Sequence, residues 1–385
     1  TRRVTVYRLS ILVGVIMSLF ANTTQAQEAT KAYFYTGGYT NGLPAEEAAK
    51  AGVSVWAVDL KTGALTREGS TQTLKNPSYQ VLNADRTRLY TDSAGEGKEG
   101  GFVTTFSVDS KTHELTKLAS ISAEGSSACY LSIDATGKNL LSAHYGRGVV
   151  RVNPIKPDGT LGEATANIQH TGSSVDQGRQ KEPHPHSILL SPDNHYVFVP
   201  DLGIDLIKAY TFDAKGGTLT PAPKLDVATP PGSGPRHLTF HPSGKFAFCS
   251  MEMGNQLIAY TYADGQLTEV GVYATIPEDF AGKSYTSEVR VSVNGKFVYV
   301  ANRGHNSIAV FKLDEATGTL ERIQIQSVEG DWPRNFAIDA TGVMMVIANQ
   351  NTGSLVSLHV NPETGMLSPT RYHVPLNAPS YICFK

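Results

Sequence analysis

The sequence predicts an all-β fold, a seven-bladed β-propeller whose first blade is closed by strands from both termini. Three observations lead to this prediction. Charged residues make up only 18% of the 385 residues and hydrophobic residues 40%, with 36 glycines and 17 tyrosines, a composition that favours strands and turns over helices. A hairpin-like segment recurs along the chain. The two ends of the chain carry complementary parts of that repeat.

Each copy of the repeat has a short strand, a polar turn and a second, more hydrophobic strand, which is the pattern of a β-hairpin. Clear copies read HPHSILLSPDNHYVFV, GPRHLTFHPSGKFAFC, SEVRVSVNGKFVYVA and WPRNFAIDATGVMMVIA. When all copies are aligned on their turns, one residue of each falls into a first column: Ser78, Cys129, His186, Arg236, Ser287, Arg334 and Ser380. Successive members lie 46 to 57 residues apart, a period that indicates four-stranded propeller blades.

A second marker supports seven blades and their closure. A Gly-containing turn that ends in leucine recurs seven times, at Leu65, Leu115, Leu161, Leu219, Leu267, Leu320 and Leu367. Residues 378–385 supply only a first strand, whereas residues 31–75 supply the later strands of a blade. We therefore expect the two ends to complete one blade, which removes the exposed sheet edges of a linear array.

The first 26 residues are predicted to be a signal peptide that is not part of the fold. Arg2, Arg3 and Arg8 precede the apolar stretch of residues 9–20, and a polar stretch then ends at Ala26. This is the plan of a cleaved secretory signal, and the apolar stretch is shorter than the roughly 20 residues of a membrane-spanning helix. We expect a single domain over residues 27–385, located in a bacterial periplasm or secreted, with no membrane attachment after cleavage.

Composition and motifs exclude several classes of function. The formal net charge is -2, which argues against nucleic acid as a partner. There is no G-x-S-x-G, P-loop, H-E-x-x-H or dinucleotide motif. Cys129, Cys249 and Cys383 lie in strand-like runs without metal-ligand spacing, so we expect small buried hydrophobes. We expect no cofactor, no metal and a monomer.

The repeat also predicts which side chains face the channel, because the first strand of each blade lines it. The next residue of each copy forms a second column: Tyr79, Tyr130, Ser187, His237, Glu288, Asn335 and Tyr381. The end of the second strand gives a third column: Ala94, Tyr145, Leu202, Glu252, Arg303 and Gln350. His144 stands one position before the third column. We expect the charged members to converge on one side of one mouth of the channel.

These side chains suit an anionic ligand and its conversion. Arginine pairs with carboxylate or phosphate in a bidentate way, histidine or glutamate can transfer protons, and arginine can stabilise an oxyanion. The candidate catalytic residues are His186, Arg236, Glu252 and Arg303, and the candidate substrate-binding residues are His184, His237, Glu288, Arg334 and His144. The alternative for each is structural, because propeller channels are wet and charged side chains can bridge adjacent blades. A polar loop at residues 171–183 lengthens one repeat, and long loops are often functional.

Several motifs resemble the propeller-type 6-phosphogluconolactonases, a family related to the carboxymuconate lactonizing enzymes. They are TGGYT at 36–40, PHPHS at 183–187, GPRH at 234–237, NRGHNSIAVF at 302–311 and PRNFAID at 333–339. The resemblance extends over residues 32–384. It implies an active site of histidine, arginine, glutamate and arginine, which by motif are His186, Arg236, Glu252 and Arg303. The glutamate motif departs from the family's usual form, because methionines flank Glu252.

The resemblance implies that water opens a sugar lactone without a metal. Glu252 or His186 would transfer the proton, and Arg236 and Arg303 would bind the lactone carbonyl or an anionic group of the ligand. Export favours an unphosphorylated or carboxylated lactone, because phosphorylated intermediates belong to the cytosol. Two alternatives stay open at this point: a muconate-type cycloisomerase that uses the same cluster, and a non-catalytic exported propeller that serves as a binding or scaffold module.

Overall fold

A computed structural model describes residues 30–48, 51–95 and 100–385 and confirms the seven-bladed β-propeller. Seven antiparallel sheets form the blades. Blade 1 contains β1 (Lys31–Gly38), β2 (Gly52–Asp59) and β3 (Leu65–Thr73). Blade 2 contains β4 (Gln80–Leu82), β5 (Arg88–Ala94), β6 (Gly101–Val108) and β7 (Leu115–Ser122). Blade 3 contains β8 (Tyr130–Ile133), β9 (Asn139–His144), β10 (Val149–Pro154) and β11 (Ala166–Gln169). A short helix, α1 (Ala45–Ala48), lies between β1 and β2.

The remaining blades follow the same order, with the first strand of each innermost. Blade 4 contains β12 (Leu189–Leu190), β13 (Tyr196–Asp201), β14 (Leu206–Asp213) and β15 (Thr218–Pro221), and β16 (Val227–Ala228) also pairs with β14. A 3-10 turn (Pro223–Leu225) precedes β16. Blade 5 contains β17 (Pro235–Phe240), β18 (Phe246–Met251), β19 (Gln256–Ala263) and β20 (Gln266–Ala274). Blade 6 contains β21 (Tyr285–Val291), β22 (Phe297–Arg303), β23 (Ser307–Leu313) and β24 (Leu320–Ser327). Blade 7 contains β25 (Pro333–Ile338), β26 (Met344–Asn349), β27 (Ser354–Val360) and β28 (Leu367–Pro375).

The ring closes as the repeat predicts. The last strand, β29 (Pro379–Phe384), pairs with β1 and is the innermost strand of blade 1. The register places Tyr35 opposite Cys383 and Thr36 opposite Ile382. The backbone N–H of Ile382 donates to Asn335 Oδ1 of blade 7 over 2.9 Å. Both ends of the described chain are therefore tied into the sheet ring, and the inner strands keep a fixed register around the channel.

The hydrophobic core lies between the blades. Six clusters of buried apolar side chains each draw on adjacent blades. The middle strands are buried on both faces, which explains their nearly continuous apolar runs. Buried tyrosines add polar links between blades: Tyr35, Tyr90 and Tyr299 donate to the backbone carbonyls of His113, Gly159 and Gly365. The blades are thus packed as rigid units, and the rim of the channel is fixed.

Some predictions concern residues that the structure does not describe. Residues 1–26, predicted to be a signal peptide, lie outside the described residues, so the domain boundary at residue 27 stays a prediction. Within the described ranges, no helix is long and apolar enough to cross a membrane. All three cysteines are free; Cys249 is buried, and Cys129 and Cys383 are half-buried.

Candidate active site

The charged residues of the first and third columns meet at one mouth of the channel. His186, Arg236 and Arg334 lie at the starts of the inner segments of blades 4, 5 and 7, while Glu252 directly follows β18 and Arg303 ends β22. Antiparallel pairing brings the start of a first strand beside the end of the second strand, so both columns reach the same rim. A cavity of about 310 Å³, hereafter the mouth cavity, is lined there by residues that include Arg179, His186, Glu252, Arg303 and Arg334.

The carboxylate of Glu252 is shared by three guanidinium groups. Its Oε2 accepts from Arg236 Nε over 2.9 Å and forms an ion pair with Arg303 Nη2 at 2.8 Å, and its Oε1 accepts from Arg179 Nη2 over 2.7 Å. The Glu252 side chain is only 4% exposed. A buried carboxylate needs paired charges and hydrogen bonds to offset its desolvation, and here both oxygens are paired. Glu252 therefore fixes these three arginines in place.

This pairing keeps Glu252 ionised. Burial acts to raise the pKa of Glu252, but Arg303 and Arg236 outweigh it and hold the pKa well below its usual range. Both of its oxygens already accept hydrogen bonds from guanidinium groups, so neither is available to take a proton from water. Of the two side chains that sequence analysis proposes for proton transfer, Glu252 is the less suited.

His186 is the neutral member of the cluster. Its ring lies edge-on to the rings of Tyr145 and His237, and its Nε2 is 3.9 Å from Glu252 Oε2. Burial, with Arg236 second, lowers the pKa of His186 well below the ordinary value of histidine. Its Nδ1 is buried and has no hydrogen-bond partner among the described residues. His186 is therefore unprotonated near neutral pH, and its Nε2 faces the Glu252 carboxylate.

The arginines differ in how many partners their guanidinium groups already have. Arg303 also donates to the carbonyl of Thr286 over 3.0 Å, and its guanidinium lies 5.4 Å from the centre of the Trp332 ring. Arg334 lies 5.1 Å from the centre of the Tyr39 ring, and the described part of the chain offers it no hydrogen-bond or carboxylate partner. An arginine remains charged at any physiological pH. Arg334 thus presents unused donors at the mouth.

His237 and Glu288 lie in a layer beneath the mouth. We name His237, Glu288, Arg290 and Asn335 the inner layer. Arg236 Nη1 donates to His237 Nε2 over 3.1 Å, so the neutral ring carries its proton on Nδ1, which faces Glu288 Oε1 at 3.4 Å. Arg290 Nε lies 3.4 Å from the same oxygen, and Asn335 donates to the other one. The inner layer supports Arg236 from below and does not line the mouth cavity.

Burial and neighbouring charges together also set the ionisation of His237 and Glu288 in the inner layer. Burial and then Arg236 lower the pKa of His237 to about 4. Burial acts to raise the pKa of Glu288, but Arg290 and His237 outweigh it and lower the pKa to about 2. The rings of Tyr130 and Tyr381 are tilted against the Tyr79 ring, with ring centres 4.3 and 4.0 Å from its own. Neutral His237 and ionised Glu288 form a permanent support for Arg236.

Two predicted substrate-binding histidines lie elsewhere. His184 stacks on the Tyr145 ring at 4.2 Å, and its Nδ1 is 2.9 Å from the Tyr145 carbonyl oxygen, so it supports the rim. His144 is buried against Ser142 and Ser126, and it lines a separate outer cavity of about 530 Å³. Burial lowers the pKa of His144 to about 4. Neither lines the mouth cavity, so the structure does not bring them into the candidate site, and their role in substrate binding stays a prediction.

Three residues of the mouth were missed by sequence reasoning. Tyr39 follows β1 and corresponds to Glu252 in the repeat, so extending the third column into blade 1 would have found it. Arg179 lies in the long loop at residues 171–183, which has no counterpart in the repeat. Asp92 also lines the mouth cavity, and burial raises its pKa to about 7. Both Asp92 oxygens accept hydrogen bonds from Ser78, one of them also from the Tyr79 N–H, so it fixes the start of β4.

The mouth therefore carries excess positive charge. Arg179, Arg303 and Arg334 line the cavity, Arg236 lies directly below, and the carboxyl groups of the lining are Glu252 and Asp92. Guanidinium groups around a concave site favour an anionic ligand or an anionic intermediate. Across the described ranges, no group of three or more His, Cys, Asp or Glu side chains is arranged to hold a metal ion.

Replacing Glu252 by glutamine should lower the stability of the protein in a pH-dependent way. The change leaves Arg236 and Arg303 buried without a counter-charge, so we expect a loss of about 3 kcal/mol in the free energy of unfolding at neutral pH. Because the pKa of Glu252 is lowered by folding, its contribution is full above the unfolded pKa of about 4.3 and disappears as pH falls through the folded pKa. Urea unfolding at about pH 7 and at successively lower pH measures both effects.

The control is Glu68→Gln, which removes an exposed ion pair with Lys31. We expect a change of less than about 0.5 kcal/mol for this variant. A Glu252→Gln protein that is as stable as the wild type at neutral pH would show that the three arginines do not depend on the carboxylate.

Known proteins match this fold along almost the whole chain. Residues 33–384 match the family described as "Lactonase, 7-bladed beta-propeller". The 6-phosphogluconolactonase of Bacillus subtilis is 37% identical over 350 residues, covering 90% of this chain and 97% of that protein. The periplasmic gluconolactonase of Pseudomonas aeruginosa is 30% identical, with a TM-score of 0.86 over 92% of this chain and 99% of that one. A Lactobacillus plantarum protein is 30% identical, with a TM-score of 0.84 over 92% and 99% of the two chains. The chain therefore belongs to the lactonase family of seven-bladed β-propellers.

Proposed function

We propose that this lactone hydrolase opens a sugar lactone by attack of water at the mouth of its channel. One observation carries the proposal: neutral His186 and uncommitted Arg334 line the same cavity, beside a carboxylate that holds the other guanidinium groups in place. Such a site offers a proton acceptor and an oxyanion donor together. Relatives named 6-phosphogluconolactonase and gluconolactonase favour hydrolysis over a cycloisomerase or a non-catalytic binding module.

His186 is assigned as the general base. Its neutral ring accepts a proton from water, and Glu252, 3.9 Å from its Nε2, stabilises the imidazolium that forms. A second, smaller cavity of about 20 Å³ shares His186 and Arg334 with the mouth cavity. A polar cavity of this size has room for one water molecule, and we place the attacking water there.

Arg334 is assigned to the carbonyl oxygen of the lactone. Arg236 and Arg303, which the sequence proposes for this role, each pair with Glu252, so they hold the carboxylate in place. Arg334 has unused donors and lines both cavities. A preformed donor at the position of the oxyanion lowers the barrier more than it strengthens substrate binding.

The bonds and protons balance over the two steps. Water oxygen bonds to the carbonyl carbon, His186 takes one water proton, and Arg334 pairs with the oxyanion of the tetrahedral intermediate. When the carbonyl re-forms, the bond between that carbon and the ring oxygen breaks. His186 then returns its proton to the departing ring oxygen, which becomes a hydroxyl group. The product is a hydroxy acid that ionises near neutral pH.

Hydrolysis of 6-phosphogluconolactone and glucono-δ-lactone, with the spontaneous rate subtracted, tests this function. We expect the wild type to turn over at least one of them. Replacing the base in His186→Gln should lower kcat/KM by about 10²- to 10⁴-fold. Removing the oxyanion donor in Arg334→Ala should lower kcat by about 10²- to 10³-fold.

The matched control is His195→Gln, which replaces an exposed histidine of a hairpin turn and should keep wild-type kcat/KM within about twofold. Circular dichroism shows whether each variant is folded. The proposal fails if the wild type accelerates neither reaction, or if folded His186→Gln keeps full activity.

We also propose that the protein acts in the periplasm or outside the cell. The charged and apolar pattern of the first 26 residues supports this, as does a structural neighbour named as periplasmic. Export favours an unphosphorylated or carboxylated sugar lactone. N-terminal sequencing of the protein from a bacterial host should give a chain that begins at Gln27 in the exported fraction. An uncleaved chain confined to the cytoplasm would contradict this location.

A further inference from the structure

The long loop at residues 171–183 is firmly anchored beside the mouth. Gln180 is fully buried; its side chain donates to the carbonyl of Leu202 over 2.9 Å and accepts from the backbone of Asp176 over 3.0 Å. Asp176 in turn accepts from the N–H groups of Gly178 and Arg179 over 2.7 and 2.9 Å. These contacts fix the backbone at Arg179, so the loop holds this residue at the rim.

A second anchor joins the loop to the segment that leads into blade 5 and Arg236. Ser174 Oγ donates to Asp205 Oδ2 over 2.5 Å, and the other oxygen of Asp205 accepts from the N–H of Gly234, two residues before Arg236. Loops that only connect strands do not require buried polar anchors of this kind. The loop therefore has a fixed position relative to the mouth cavity.

Arg179 differs from the other two arginines that bind Glu252. Its side chain is 37% exposed, whereas those of Arg236 and Arg303 are 2% and 6% exposed. It contacts the other carboxylate oxygen, and the same Nη2 lies 3.3 Å from the hydroxyl of Tyr145. Among the described residues, only its Nη2 has contacts, with Glu252 and Tyr145. The remaining N–H groups of this partly exposed guanidinium are therefore available to a ligand.

We infer that Arg179 is a specificity-determining residue, which binds an anionic substituent of the substrate remote from the lactone carbonyl. A phosphate or carboxylate that enters the mouth pairs with the N–H groups of Arg179 that Glu252 and Tyr145 do not use, in a charge-assisted contact. This contact leaves Arg334 and His186 free for the reacting ester. This inference rests on the proposed function for its substrate, but the anion contact itself is independent of turnover.

Calorimetric titration of the full chain with three stable hydroxy acids tests the inference. Gluconate has a neutral group at carbon 6, 6-phosphogluconate carries phosphate there, and glucarate carries carboxylate there. We expect the wild type to bind at least one of the two carbon-6 anions about tenfold or more tightly than gluconate. Which one is preferred separates the phosphate from the carboxylate. In Arg179→Ala the preference should fall to within about threefold, and Arg179→Lys should keep part of it.

Arg147→Ala is the matched control, because Arg147 is an exposed arginine that lines the outer cavity; it should keep the wild-type preference. Equal binding of all three acids by the wild type would overturn the inference, as would an unchanged preference in Arg179→Ala. Turnover is scored separately. Tight, Arg179-dependent anion binding without lactone hydrolysis would reject the proposed reaction and leave the inference standing, and hydrolysis with an unchanged preference would do the reverse.

Discussion

The arrangement at the mouth depends on one buried carboxylate. Glu252 is shared by guanidinium groups from blade 5, blade 6 and the long loop, and it is almost fully withdrawn from solvent. A charge buried in this way is stable only if its partners are held at hydrogen-bond distance. The requirement works in both directions: the carboxylate orders the arginines, and the arginines keep it ionised. Arg236 and Arg303 pair with Glu252, and we therefore propose for the chemistry the neutral His186 and Arg334, which has no carboxylate partner among the described residues.

The closed ring of sheets is what brings those partners together. β29 completes blade 1 by pairing with β1, and buried apolar clusters lie between all neighbouring blades. Beneath the rim, the chain of contacts from Glu288 through His237 to Arg236 adds a second polar layer. The mouth is therefore preorganised before any ligand arrives, which is how electrostatic catalysis avoids the cost of reorientation.

The fold and the grouping of the charged residues at the site follow from the repeat. The level at which each residue lies in the channel, and the partners that its side chain already binds, do not. One residue per blade at a fixed distance from each turn must form a ring, so His186, Arg236 and Arg334 could be placed together from sequence. Adjacent columns reach different levels of the channel, which places His237 and Glu288 below the mouth. Arg179 could not be found in this way because its loop interrupts the repeat. The roles of Arg236 and Arg303 could be assigned only from their distances to Glu252. A column shows which residues lie close together, but not which of their donors already have a partner.

The charge state of His186 tests this account most directly. NMR titration of the protein labelled with ¹⁵N-histidine, with the resonance assigned through the His186→Gln variant, reports protonation of this ring without relying on a substrate. We expect His186 to stay neutral at about pH 6 and to protonate only well below the ordinary histidine pKa of about 6.5, because burial and Arg236 lower its pKa. A His186 ring that is already protonated at about pH 6 would contradict its assignment as the base.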